Sequence, residues 1–256
     1  MILMNDFKAE SIELQQAMQS AVERVLASGW YILGKELESF EEQWANICGT
    51  KYGIGVGNGM DAIEISLRAL GIGVGDEVIT TPMTAFATVL AIIRAGATPV
   101  LADIDSSTAL LDPLSVQLCI SPKTRALLLV HLYGQVRCMN EWKVLCDDNN
   151  IILLEDCAQA HLAAWQGRMA GSFGAAGAYS FYPTKNLGAA GDAGLLITNE
   201  IEVATKAKYI RNYGQSERYH HPEIGLNSRL DEIQAAILSE RLKWLSGFTD
   251  AKGVRL

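Results

Sequence analysis

No two of the five cysteines (Cys48, Cys119, Cys138, Cys146 and Cys157) stand in a CxxC pair, and an odd number cannot close an even disulfide framework. That excludes a disulfide-stapled secreted module, and no metal-ligand set is expected. Reduced, mostly buried thiols in a cytoplasmic protein are expected instead. Basic clusters are missing too. With a formal net charge of −8, the chain offers no phosphate-tracking surface of the kind nucleic acids need. The N-terminal Met1-Ile2-Leu3-Met4 turns polar at once in Asn5-Asp6-Phe7-Lys8, too soon for a signal peptide or a membrane span. There is no internal repeat and no low-complexity tract.

What remains is an ordinary globular composition, 49% hydrophobic, 20% charged and 7% aromatic over 256 residues, enough to bury a substantial core. Helical spacing of apolar residues predicts helices over about 11–26 and 35–47. A short strand follows at 52–56, and Gly57-Asn58-Gly59 turns into a helix over 61–70. Further strands are predicted at 77–81, 98–103, 126–132, 151–156, 178–181 and 194–198, with a helix at 87–95. This alternation predicts an α/β fold with a mainly parallel sheet flanked by helices. In such folds functional groups gather where strands end. Here those ends carry Gly57-Asn58-Gly59, Thr80-Thr81-Pro82, Asp103, His131, Asp156 and Ser180, a candidate rim for a site.

Three segments bear chemistry. Asp156 ends the apolar run Ile151-Ile152-Leu153-Leu154; such an acid is either a helix cap or a buried carboxylate that needs a cation. Lys185 lies in Ser180-Phe181-Tyr182-Pro183-Thr184-Lys185-Asn186-Leu187-Gly188, an apolar turn after a strand. A lysine is either a solvated surface group or, when desolvated, a nucleophile or base. Gly57-Asn58-Gly59-Met60-Asp61 opens a helix, whose free N–H groups can bind an anion.

Together these segments resemble the sugar aminotransferase family DegT/DnrJ/EryC1/StrS, enzymes of the aspartate aminotransferase fold type (fold type I) that use pyridoxal 5′-phosphate (PLP). The most specific match is Glu155-Asp156-Cys157-Ala158-Gln159-Ala160-His161 followed by the Lys185 segment. Further matches are Ser28-Gly29-Trp30-Tyr31-Ile32-Leu33-Gly34, Val130-His131-Leu132-Tyr133-Gly134-Gln135, Gly191-Asp192-Ala193-Gly194 and Asn227-Ser228-Arg229-Leu230-Asp231. They span about 7–245.

The resemblance implies that Lys185 holds PLP as a Schiff base and shuttles protons, that Asp156 pairs with the pyridine nitrogen, and that Gln159 bonds the ring hydroxyl. It implies stacking by Phe86, a phosphate site built from the backbone of Gly59 and Met60 with the Ser180 hydroxyl, and an Asn227 that reaches the phosphate of a neighbouring subunit in a homodimer with composite sites. Tyr31 and Tyr182 are either sugar-pocket residues or packed side chains. Met60 departs from the Thr or Ser of many relatives, leaving only a backbone donor there; Leu162 stands where Gly is commoner. Cys157 is expected to be an inert packed thiol.

The function so implied is transfer of an amino group, from glutamate, to a nucleotide-linked keto-sugar. Lys185 separates the chain from dehydratase relatives, which carry His there. Gly191-Asp192-Ala193-Gly194 with Met60 leans to the branch acting on 3-keto-6-deoxy sugars. Two other readings fit the same residues: an inert PLP- or partner-binding homologue with a regulatory role, and another fold type I enzyme such as a lyase. The expected domain division is a PLP-binding large domain with an N-terminal helical segment over 1–245 and a truncated or atypical tail over 246–256. The family's small C-terminal domain is then largely missing.

Overall fold

A computed structural model describes residues 6–247. Met1–Met4 and most of the tail, 248–256, lie outside the described residues.

Two helices lead. In α1 (Ile12–Ser28) the Ser11 side chain caps the first turn by accepting the Leu14 N–H, and Gly29, at φ +66°, ends the last. Helix α2 (Lys35–Cys48) buries Leu37, Phe40 and Trp44 on one face. The sheet is then laid down by β1 (Tyr52–Val56), β2 (Glu77–Thr80), β3 (Thr98–Leu101), β4 (Thr124–Val130) and β5 (Ile152–Asp156). A two-stranded hairpin, β6 (Ala164–Trp165) with β7 (Arg168–Met169), precedes β8 (Ala176–Ser180) and β9 (Gly194–Thr198). Between them run α3 (Gly59–Ala69), α4 (Phe86–Arg94), α5 (Pro113–Cys119), α6 (Met139–Asn149) and α7 (Ile201–Ile210); α8 (Glu232–Leu242) closes the series.

The seven-stranded order is β1-β9-β8-β5-β4-β2-β3. From β8 to β3 every neighbouring pair is parallel, whereas β9 runs antiparallel to both β8 and β1. The sheet is thus mostly parallel, as expected. Strand direction at β9 was beyond the reach of the apolar runs alone, because a strand buried on both faces looks the same in either sense. All five β9 residues are buried.

Alternation along β4 divides the core. Leu127 and Leu129 point to a cluster with Trp44, Trp142 and Leu238. Ala126 and Leu128 join Ile65, Ile92 and Ile210 on the other face. Helices α2, α6 and α8 therefore cover one face, and α3, α4 and α7 the other.

The strand predicted over 126–132 stops at Val130, and Leu132–Gly134 forms a 3-10 turn. Helix α3 starts two residues earlier than predicted, at Gly59. No helix among the described residues is long and apolar enough to cross a membrane.

Candidate active site

The register brings the ends of distant segments into one row. Val130 pairs with Asp156, Asp156 with Ala178, Ser180 with Gly194, and Gly194 with Val56. The turn after β1 thus meets the end of β8 across β9, with the end of β5 alongside.

Asp156 is buried, at 5% exposure. Its carboxylate accepts the Thr88 hydroxyl at 2.8 Å and the Ala158 N–H at 3.1 Å; Thr84 and Thr88 share a further hydroxyl contact at 2.7 Å. Among the described residues no basic nitrogen lies within 4.0 Å of it. Burial pushes its carboxyl pKa up, against the opposing pull of those two hydrogen bonds and of the charges on Lys185 and His131. Two hydrogen bonds do not replace a counter-charge, so a carboxyl placed here either keeps its proton or pairs with a cation.

Lys185 is half-buried. Burial lowers its pKa and the Asp156 charge partly restores it. Its backbone is fixed. The Lys185 N–H donates to the Tyr182 carbonyl at 2.9 Å and Ala189 N–H returns to Phe181. Gly188 packs so tightly that a Cβ there would stand 2.4 Å from the Pro183 carbonyl oxygen.

Ser180 at the end of β8 lies against the start of α3, the candidate anion cup. The Asn58 side chain caps α3 by accepting the Asp61 N–H, so the N–H groups of Gly59 and Met60 open the helix without intrahelical partners. A Cβ on Gly59 would lie 2.6 Å from the Ser180 Cβ, and one on Gly194 would lie 2.3 Å from the Asn58 carbonyl carbon. Two glycines therefore let the helix start rest against Ser180. The Met60 side chain packs on the α3 face of the core and brings no donor.

The aromatic residues are outside the core. Phe86, the first residue of α4, is 70% exposed, Tyr182 51% and Tyr31 48%, so packing accounts for none of the three. Gln159 is exposed, and its side-chain oxygen accepts the Tyr133 N–H at 2.7 Å. Its amide NH₂ remains as a donor. Asn227 is exposed on a two-residue bridge with Asn212.

Several polar strand ends serve the scaffold instead. The Thr80 hydroxyl donates to the Leu128 carbonyl and Thr81 accepts the Met83 N–H. Asp103, beyond the edge strand β3, is tied by its backbone to Ser115 and Asp112. His131 and Glu155 form a buried pair at 2.8 Å, and Glu155 also accepts the N–H groups of Gly171, Phe173 and Gly174. Cys157 is fully buried with its pKa raised by burial first, which fits an inert thiol. Thr88, on the first turn of α4, escaped the sequence reading; Thr84, which bonds it, lies before the helix.

The strand ends thus bring together a half-buried lysine, a buried carboxylate with no basic nitrogen within 4.0 Å among the described residues, and a helix start. The sequence profile described as the DegT/DnrJ/EryC1/StrS aminotransferase family matches residues 13–254. The chain belongs to that family. A relative in Streptomyces venezuelae, dTDP-3-amino-3,4,6-trideoxy-alpha-D-glucose transaminase, is 46% identical over 95% of this chain and 64% of its own length. The crystal structure of S. venezuelae DesV in complex with a ketimine intermediate superposes with a TM-score of 0.91 at 47% identity, covering 94% of this chain and 65% of that one. NtdA from Bacillus subtilis with bound cofactor PMP gives 0.87 at 31% identity, covering 92% and 54%. The chain thus spans somewhat less than two thirds of the first relative's length, and it shares its fold with these family members.

Proposed function

We propose that the chain is a PLP-dependent aminotransferase that transfers an amino group, from glutamate, to a nucleotide-linked keto-sugar. The observation that carries this reading is Asp156, a buried carboxylate with no basic nitrogen within 4.0 Å among the described residues, which feels the charge of the half-buried Lys185. The Streptomyces venezuelae relative, a dTDP-amino-sugar transaminase, supports the substrate class, and the bound PMP of NtdA supports the cofactor.

Lys185 would hold the cofactor through its Nζ, which would also carry the proton taken from Cα of the amino donor. Asp156, held by Thr88 and Ala158, would pair with the ring nitrogen and keep it protonated. The NH₂ of Gln159 would donate to the ring oxygen, Phe86 would stack on the ring, and Gly59, Met60 and Ser180 would hold the phosphate. When bound, PLP supplies a conjugated ring that accepts the electrons released at the donor's Cα. Tyr31 and Tyr182 line the sugar side, and Asn227 serves the phosphate of a second subunit in a homodimer. The Streptomyces venezuelae relative, named as a 3-amino sugar transaminase, supports the lean toward 3-keto substrates. Residues 1–245 form the PLP-binding domain. The five free cysteines suit a reducing compartment such as the cytoplasm.

The test is optical. The purified chain with PLP is expected to show a visible band that survives gel filtration, is lost in Lys185→Ala, and gives way to the pyridoxamine form on adding glutamate. An intact chain that retains no chromophore overturns the cofactor reading. A band indifferent to glutamate overturns the transferase reading alone.

A further inference from the structure

The anion cup is tied to a segment about 170 residues further along the chain. Residues 226–228 pair antiparallel with 210–213: Leu226 N–H donates to Ile210, Tyr213 N–H to Leu226 and Ser228 N–H to Arg211. In an extended segment successive side chains point to opposite sides. Leu226 packs on the core and Ser228 is 2% exposed, so Asn227 between them is turned out to solvent.

The Ser228 hydroxyl is fully used. It accepts the Gly57 N–H at 2.9 Å and donates to Asp61 Oδ2 at 2.6 Å. Gly57 opens the turn that ends in the cup, and Asp61 lies in the first turn of α3, its own N–H held by Asn58. The approach is close: a Cβ on Gly57 would stand 3.2 Å from Ser228 Oγ. Charge is balanced on the helix side, where Arg94 reaches Asp61 at 3.2 Å and Glu64 at 2.9 Å. Arg68 completes the attachment, pairing with Glu64 at 3.2 Å and donating to the Ile224 carbonyl. Helix α3 therefore grips the 224–228 segment at both ends.

We propose that Ser228 is a positioning residue for the phosphate site: through Gly57 and Asp61 it fixes the turn that presents the Gly59 and Met60 N–H groups, and by facing inward it sets Asn227 outward. One hydroxyl thereby joins the cup of its own subunit to the residue assigned to the neighbour's. The inference rests on the cofactor reading above.

The test compares PLP with pyridoxal, which lacks the phosphate. Binding of each to wild type and Ser228→Ala is followed by absorbance titration, with folding checked by thermal melts. Loss of one buried hydroxyl with two partners is expected to weaken PLP binding about tenfold while leaving pyridoxal binding within about twofold. Ser66→Ala is the control: Ser66 is buried on the same helix, but its hydroxyl bonds only the Ala62 carbonyl within α3. It is expected to lower the melting temperature and leave the PLP-to-pyridoxal ratio alone. Should the alanine variant not fold, Ser228→Cys, nearly isosteric with a weak donor, is read in the same way. A ratio unchanged by either Ser228 substitution overturns the inference alone. A wild-type chain that binds neither ligand overturns the cofactor reading with it.

Discussion

Phe86 shows what a single exposed ring means. A core phenylalanine truncated to alanine costs about 3–5 kcal/mol, but a ring that is 70% exposed has little packing to lose. Phe86→Ala is therefore expected to shift urea stability by less than about 0.5 kcal/mol. It is expected to weaken PLP binding severalfold, as removal of an aromatic stacking contact worth about 0.5–1.5 kcal/mol would. Denaturation and cofactor titration on the same sample check the pair. The titratable residues give a pH test. Asp156 has a raised pKa, so between 3.8 and its folded value the native chain holds the extra proton; its contribution to stability is present below 3.8 and is lost as pH rises through the folded value. Lys185 has a lowered pKa, so between its folded value and 10.5 the unfolded chain holds the extra proton, and stability rises with pH across that window. Without cofactor, Lys185→Met is expected to be more stable than wild type at neutral pH, the gap closing toward pH 10.5. Urea midpoints across pH would show it, and a gap constant with pH would contradict it. Lys185 and Asp156 stood out in the sequence as candidates, but residue type alone left each with two readings, and only the family resemblance gave them roles. Whether Phe86, Tyr31 and Tyr182 were packed or exposed was not legible there, since aromatic residues occupy both environments.

At the scale of elements, helix α2 begins at Gly34, which has no side chain to cap it. The cap comes from Glu232 on α8, whose carboxylate accepts the N–H groups of Gly34 at 2.8 Å, Glu36 at 2.9 Å and Leu37 at 3.2 Å. A buried acid 198 positions away in the chain thus satisfies the helix start and favours it through the helix dipole. Glu232→Ala is expected to cost about 1–3 kcal/mol by urea denaturation, and Glu232→Gln less, because one acceptor oxygen remains. Equal costs would argue against capping as the cause. Local capping, such as Ser11 on α1 and Asn58 on α3, can be read from neighbouring residues. A cap supplied from another helix cannot, and the same holds for β9, whose antiparallel sense depends on which strands flank it.

Across the whole molecule the buried thiols report on the face of the core covered by α2, α6 and α8. Burial pushes Cys48 and Cys146 up to about 12 and Cys157 well above its ordinary value, whereas Cys119 and Cys138 are only half-buried. At mildly alkaline pH a thiol reagent is expected to modify Cys119 and Cys138 in the native chain and the other three only on unfolding. Peptide mapping after timed labelling checks it, and early labelling of Cys157 would place it outside the core described here. The sequence by itself determined the alternation of strands and helices and the nature of the fold, and it marked the candidate residues, because apolar periodicity and motif spacing are local properties of the chain. Only the tertiary structure decided that Asp156 has no basic nitrogen within 4.0 Å among the described residues, that His131 and Glu155 form a buried pair, and that Ser228 joins the start of α3 to the segment carrying Asn227. Those facts depend on which distant backbones meet, and that is set by the register of the sheet and the burial it imposes.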